Sequence, residues 1–115
     1  MNSEQLLTLV QTTLEDSKAL DIACLDVKKL TSIADYMVVA TATSTRHAAS
    51  IADKLSQAAK QNGAAPLSIT GENDSEWVLI DLNDIIVHIM LASSREFYSL
   101  EKLWSVTQTR IQNEK

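Results

Sequence analysis

The amino-acid sequence predicts an α/β fold in which helices cover a mixed β-sheet of about five strands. Two observations carry this prediction. Between Trp77 and Leu91, two β-branched apolar runs flank Asn83, a residue that tolerates the left-handed conformation of a tight hairpin turn. Apolar residues also recur at helical spacing near the N-terminus and again from Ala48 to Ala59. The predicted order of elements is α-β-β-α-β-β-β-α.

The N-terminal part is expected to contain one helix and two strands. The helix, of about four turns, follows the capping candidates Asn2 and Ser3 and ends near Ser17. The strands are apolar and β-branched, and the segment between them is short enough to make them neighbours in the sheet. They span Ile22–Val27 and Tyr36–Ala42.

A hydroxyl side chain among residues 43–45 is expected to cap the second helix, and Gly63 stands where its C-terminal cap is needed. The segment 66–70 begins with proline, which suits a short edge strand. The hairpin strands 77–81 and 85–91 come next. Ser93 and Glu96 form a capping pair for a last helix that docks on the sheet. The apolar face of that helix contains Phe97, Leu100, Leu103 and Trp104.

The length of 115 residues fits a single domain, expected at residues 1–105, with a C-terminal tail at 106–115. The net charge of −5 argues against phosphate-backbone binding, so no nucleic-acid partner is expected. Neither a leader peptide nor a bilayer-spanning stretch is recognisable, and a cytoplasmic protein without membrane contact is expected. The single cysteine, Cys24, lies in an apolar run and is expected to be a small core residue.

The sequence has an acidic segment with no counter-charge. From Gln61 to Ser94 there is no Lys or Arg. The carboxylates of this segment cluster around the strand that begins with Trp77, at positions 72, 74, 76, 81 and 84. An acidic surface beside an aromatic side chain suits a basic protein partner, because complementary charge speeds encounter and the aromatic ring supplies contact area.

We predict a partner-binding surface built from this segment. Leu82 is a large apolar residue at a turn tip with no local reason to be buried, so it is expected to be an exposed anchor. Trp77 and Tyr98 are either anchors too or core aromatics that hold the last helix to the sheet. The predicted set is Trp77, Asp81, Leu82, Asp84, Arg95 and Tyr98, with Tyr36, Arg46, His47 and His88 as a second tier.

The two histidines do not indicate a metal site, since no cysteine or third ligand accompanies them. His88 is expected to be a hydrogen-bonded, half-buried strand residue facing away from Val87 and Ile89. Arg46 and His47 form either a solvated helix start or a contact to the sheet, for example to Asp35. No metal and no cofactor are expected.

An enzymatic alternative rests on the loop Thr41–Ser44, where hydroxyls and backbone amides precede a helix and favour an anion. A nucleotidyltransferase-like enzyme would also need paired carboxylates that hold a metal beside this loop. The sequence has Lys28 two positions after Asp26, where a second acid would stand, and Asp81 and Asp84 flank a turn. The pattern therefore favours binding over catalysis.

Five blocks of sequence, in order, resemble the ribosomal silencing factor family, also called the RsfS or Iojap family. They are Asp21-Ile22 with Leu25–Val27, then Ile33–Val38, Thr41–His47, Trp77–His88 and Arg95–Trp104. The chain departs from the family pattern at Ala34, Ala42, Asn83 and Ala92-Ser93. Asn83 stands where the family usually has glycine and can adopt the same turn.

The resemblance implies a nucleotidyltransferase-like fold without transferase activity. It also implies a factor that binds the large ribosomal subunit through ribosomal protein L-fourteen, blocks association with the small subunit and represses translation when nutrients are scarce. A homodimer in the free state is a further implication.

Overall fold

The computed structural model describes residues 2–71 and 76–94. Apolar runs and helical periodicity produce two helices and five strands within these residues. In chain order they are α1 (Ser3–Asp16), β1 (Leu20–Asp26), β2 (Tyr36–Ala42), α2 (Thr45–Gln61), β3 (Ser68–Thr70), β4 (Trp77–Asp81) and β5 (Ile85–Leu91). The predicted mixed sheet and the predicted order of these elements are confirmed.

The strands form one sheet in the spatial order β1-β2-β5-β4-β3. β2 and β5 pair in parallel at its centre, and the other neighbouring pairs are antiparallel. A parallel pair needs a crossover connection, which α2 provides between β2 and the later strands. The central pair brings residues 36–42 beside residues 85–91, far apart in the chain.

Both faces of the central strand β2 are covered, since all seven of its residues are buried. Side chains of a strand alternate between the two faces of the sheet. Val38 and Ala40 belong to a core cluster with α1 and α2, whereas Met37 and Val39 belong to a smaller cluster. We call the face with Met37 and Val39 the second face of the sheet, because α1 and α2 lie on the other side.

Both helices begin as their sequences predict. Asn2 and Gln5 form a capping box at the start of α1, because each side chain accepts a hydrogen bond from the other residue's backbone N–H. The Ser44 side chain accepts from the His47 N–H and caps α2. Just past the end of α2, Gly63 has a φ of +76°, the left-handed conformation expected of a C-terminal cap.

The hairpin between β4 and β5 is also confirmed. Asn83 has a φ of +75°, and the Leu82 N–H donates to the Ile85 carbonyl at 2.9 Å. The Asn83 N–H donates to Asp81 Oδ1 at 2.8 Å, so an aspartate side chain completes the turn.

The boundaries of the two edge strands differ from the prediction. β1 begins at Leu20, and its register shifts between Leu20 and Ala23, where Asp21 has a φ of +48°. This irregular start is invisible to apolar periodicity. β3 begins at Ser68, after Pro66, since proline has no N–H for pairing.

Residues 92–94 are helical, so helical conformation begins one residue before the predicted cap at Ser93. The predicted face with Phe97, Leu100, Leu103 and Trp104, its docking on the sheet and the predicted tail at 106–115 lie outside the described residues. Within the described part of the chain, no helix has the length and apolar content needed to cross a membrane.

Cys24 is fully buried in the helix-side core, as predicted. Burial raises the pKa of its thiol to about 11, although the Gln11 side-chain amide donates to Sγ at 3.0 Å. A buried thiol of this kind is a packing residue and not a nucleophile.

Cys24→Ser is expected to lower the free energy of unfolding by about 1–3 kcal/mol, because a hydroxyl replaces a thiol in an apolar strand. The value should lie near the lower limit, since the Gln11 amide can donate to the new oxygen. Urea unfolding measures it. In a Gln11→Leu background the same substitution should be more destabilising, and equal losses in the two backgrounds would contradict this hydrogen bond's role.

Candidate partner-binding face of the sheet

The hairpin places alternate residues of β4 on the second face. Trp77, Leu79 and Asp81 lie opposite Met90, His88 and Ile86 of β5, respectively. Directly paired residues of neighbouring strands share a face, so these six side chains form one strip across the two strands. Four of them, namely Trp77, Leu79, Asp81 and Ile86, are half-buried. We call these six residues the β4–β5 strip.

Trp77 and His88 form a hydrogen-bonded pair within the β4–β5 strip. The indole N–H of Trp77 donates to His88 Nδ1 at 2.9 Å, and the ring centroids lie 5.7 Å apart. Nδ1 therefore accepts, and the proton of the neutral imidazole is assigned to Nε2. Burial lowers the pKa of His88 from its ordinary value of 6.5 to about 4. The predicted hydrogen bond of this strand histidine is confirmed, but the side chain is buried and not half-buried. The bond holds the Trp77 ring in place.

Three carboxylates lie near the end of the sheet where the β4–β5 turn is. The Asp35 N–H donates to the Asp84 carbonyl at 2.7 Å, which brings the two residues together at one end of the sheet. The Ser3 hydroxyl lies 2.6 Å from Asp35 Oδ2 and 3.4 Å from Asp84 Oδ2. Asp81 is the third carboxylate, at the end of β4.

These three carboxylates have no cationic partner in the described part of the chain. The ion pairs found there belong to Lys28, which lies 3.8 Å from Glu4 and 4.0 Å from Asp26. Of the three, Asp81 lies in the β4–β5 strip beside half-buried apolar side chains, whereas the carboxylates of Asp35 and Asp84 contact Ser3 of α1.

The expected exposure of Leu82 is wrong. Its side chain is only 4% exposed and belongs to the helix-side core cluster. It follows Asp81 in the chain, and Asp81 faces the other side of the sheet, so alternation directs Leu82 toward the helices. Leu82 is therefore a structural residue, and the apolar part of the β4–β5 strip is supplied by Leu79 and Ile86 instead. Leu79 is two positions from Trp77, and Ile86 is two positions from His88. This spacing places each pair on one face of its strand and could have identified both apolar residues from the sequence.

The second-tier residues are dispersed. Tyr36 is buried against α1, where its hydroxyl donates to Glu4 Oε2 at 3.2 Å and Lys28 Nζ lies 4.9 Å from its ring centroid. Arg46 is exposed on α2. Arg95 and Tyr98 lie outside the described residues.

His47 connects the two helices. Its Nε2 lies 2.9 Å from the carbonyl oxygen of Ser17, just past α1, and its Nδ1 accepts from the Thr43 N–H at 2.9 Å. The suggested contact of this residue with Asp35 is wrong, because Asp35 precedes β2 and His47 follows it. The two lie beyond opposite ends of a strand of seven residues.

The residues on which the enzymatic alternative rests form hydrogen bonds within the protein. The Thr43 N–H at the loop Thr41–Ser44 is bound by His47, and the His47 N–H is bound by Ser44. Asp26 accepts from the Lys28 N–H at 3.0 Å. Among the residues that the structure describes, no group of three His, Cys, Asp or Glu side chains could hold a metal ion.

Comparison with known proteins identifies the family. The family model described as ribosomal silencing factor during starvation matches residues 1–115. The ribosomal silencing factor RsfS of Haemophilus influenzae is 39% identical over 100 residues, covering 87% of this chain and 98% of the relative. The mouse protein named mitochondrial assembly of ribosomal large subunit protein 1 is 31% identical over 96 residues, covering 81% of this chain and 42% of that protein.

The fold agrees with this match. A crystal structure of a Chromobacterium violaceum protein has a TM-score of 0.89 and 37% sequence identity to this chain. The similarity covers 91% of this chain and 88% of that protein. In sequence and in fold, the chain belongs to the ribosomal silencing factor family.

Proposed function

We propose that this protein represses translation by binding the large ribosomal subunit through ribosomal protein L-fourteen and so preventing association with the small subunit. It acts by occupying a surface and not by catalysis, in the cytoplasm and when nutrients are limiting. Family membership supports the ribosome-associated silencing role. The name of the mouse relative, which refers to assembly of the large ribosomal subunit, supports the choice of subunit.

One observation carries the choice of surface. The β4–β5 strip combines half-buried apolar side chains with Asp81, and Asp81 has no cationic partner among the described residues. Ribosomal proteins are usually basic, so such a surface complements them in charge. Trp77, already oriented by His88, supplies the aromatic contact area at a small entropic loss. Asp84, Arg95 and Tyr98 remain in the proposed surface, and Leu82 does not.

The proposal is tested by co-sedimentation of the purified protein with separated ribosomal subunits. Binding to the large subunit, and a reduced yield of joined ribosomes when the small subunit is added, is the expected result. The molecular mass of the free protein, measured by sedimentation, tests whether it forms the homodimer that the family resemblance implies. Co-sedimentation with the small subunit alone, or unchanged subunit joining at saturating protein, would contradict the proposal.

Asp81→Asn is expected to slow association with the large subunit and to reduce its salt dependence, while dissociation changes little. The reason is that a rim carboxylate acts mainly by long-range attraction of a basic partner. Association rates at low and high salt measure the effect. Asp53→Asn, on the exposed surface of α2, changes net charge equally and is the control. Equal slowing by both variants would mean that only net charge matters.

A further inference from the structure

The sequence contains one asparagine that is followed by glycine, in the pair Asn62-Gly63 at the end of α2. Both residues are exposed to solvent. The backbone nitrogen of the residue after an asparagine can attack the asparagine side chain, and a glycine in that place puts no side chain in the way of the attack. Asn62 is therefore the most reactive asparagine of the chain wherever the backbone is free to move.

Hydrogen bonds to the last turn of α2 engage both groups that would react. The Asn62 side-chain amide, whose nitrogen would leave, donates from Nδ2 to the Ala58 carbonyl at 2.8 Å. The Gly63 N–H, whose nitrogen would attack, donates to the Lys60 carbonyl at 3.1 Å. We call Asn62 and Gly63 with these two hydrogen bonds the α2 cap.

The backbone conformation of Asn62 also opposes the attack. In the cyclic imide that the reaction forms, the Asn62 Cβ and the Gly63 nitrogen must nearly eclipse each other about the Cα–C bond of Asn62. Because the backbone nitrogen and Cβ of a residue are about a third of a turn apart around that bond, the ring needs a ψ of about 120° in magnitude. The ψ of Asn62 is 16°. The α2 cap must therefore open before the ring can close.

We infer that Asn62 is a site of spontaneous deamidation and that the α2 cap prevents the reaction until it opens. In the open form, hydroxide removes the proton of the Gly63 nitrogen, and this nitrogen forms a bond to Asn62 Cγ. The Cγ–Nδ2 bond breaks, and the departing nitrogen takes up a proton from water and leaves as ammonia. Water then adds to one of the two carbonyl carbons of the imide, and the ring opens to aspartate or isoaspartate.

The product of this reaction does not restore the α2 cap. A carboxylate at position 62 has no N–H to donate to the Ala58 carbonyl, and the helix dipole disfavours its negative charge at the C-terminal end of α2. Isoaspartate also adds a methylene to the backbone, which displaces the hydrogen bond from the Ala64 N–H to the Ala59 carbonyl. Since Ala59 is fully buried in the helix-side core, the change reaches the packing of α2 on the sheet.

The test follows deamidation of the whole purified protein in mildly alkaline buffer, with and without enough urea to unfold it. Peptide mapping by mass spectrometry measures the loss of each asparagine with time. In urea, Asn62 should be lost faster than any other asparagine, including Asn83, which is also exposed but precedes Asp84. Without urea its loss should be slower by about tenfold or more, because two hydrogen bonds must break first and each shifts the opening equilibrium by roughly twofold to tenfold.

Two variants complete the test. Asn62→Gln should remove the fast phase of ammonia release in urea, because the longer side chain closes a ring less readily. Asn62→Asp carries the charge of the product and should raise the unfolding equilibrium constant by about tenfold, through the lost hydrogen bond and the unfavourable charge.

The outcomes separate the site from its protection. Fastest loss of Asn62 in urea, with the expected slowing in native buffer, supports both. Faster loss of another asparagine in urea, or a fast phase that persists in Asn62→Gln, would show that the reactive site lies elsewhere. Equal rates of Asn62 loss in the two buffers would overturn the protection by the α2 cap. An Asn62→Asp protein as stable as the parent would overturn the effect assigned to the product.

Discussion

Leu82→Ala is expected to lower the free energy of unfolding by about 2–5 kcal/mol, the range for truncation of a buried leucine. The expectation follows from its burial among the residues that join the sheet to α1 and α2. Truncation leaves a void that the surroundings fill only in part. Urea unfolding followed by far-UV circular dichroism measures the loss.

Leu67→Ala is the matched control. Leu67 is 67% exposed, and the same truncation there should change stability by no more than about 0.5 kcal/mol. Any weakening of ribosome binding by Leu82→Ala should disappear once its unfolded fraction is taken into account. A Leu82→Ala protein as stable as the parent, yet deficient in binding the large subunit, would return Leu82 to the partner-binding surface.

The protein is expected to lose about 3 kcal/mol of stability through His88 as the pH falls from 6.5 to 4. The pKa of His88 is about 4 in the folded protein and ordinarily 6.5. Between these values the unfolded chain binds a proton that the folded protein does not, so stability decreases as the pH is lowered. Each pKa unit corresponds to about 1.4 kcal/mol. Below about pH 4 this contribution no longer changes, because the folded state also takes the proton.

The measurement is the unfolding free energy at several pH values for the parent and for His88→Gln. Glutamine does not titrate and can still accept the Trp77 N–H, while the carboxylates titrate in both proteins. The parent should show the steeper decline between pH 6.5 and 4. Parallel curves would mean that His88 is protonated in the folded state or is solvated. Binding at neutral pH should persist in the variant if Trp77 keeps its position.

The elements with strong local signals were predictable from the sequence. The bounds of β2, β4 and β5 agree with their apolar runs, because side-chain burial and β-branching act over a few neighbouring residues. The caps at Asn2 and Ser44 were likewise local, since each needs only the first turn of its own helix. The irregular start of β1 has no such signal.

The candidate surface was predictable only in part. The acidic segment without Lys or Arg identified Asp81 and Asp84, and alternation along β4 could have added Leu79. The contact of Ser3 with Asp35 and Asp84 was not predictable, because these residues are distant in the chain and converge at one end of the sheet only when the strands are placed side by side.

The sequence by itself determined the order of the helices and strands that the structure describes, the bounds of β2, β4 and β5, and the excess of acidic over basic residues around Trp77. These properties depend on each residue and its near neighbours. The tertiary structure decided the order of the strands, the burial of Leu82 and the pairing of Trp77 with His88. Those outcomes depend on which distant segments pack together. The apolar pattern of a strand predicts that one of its faces is buried, but it does not predict which element packs against that face.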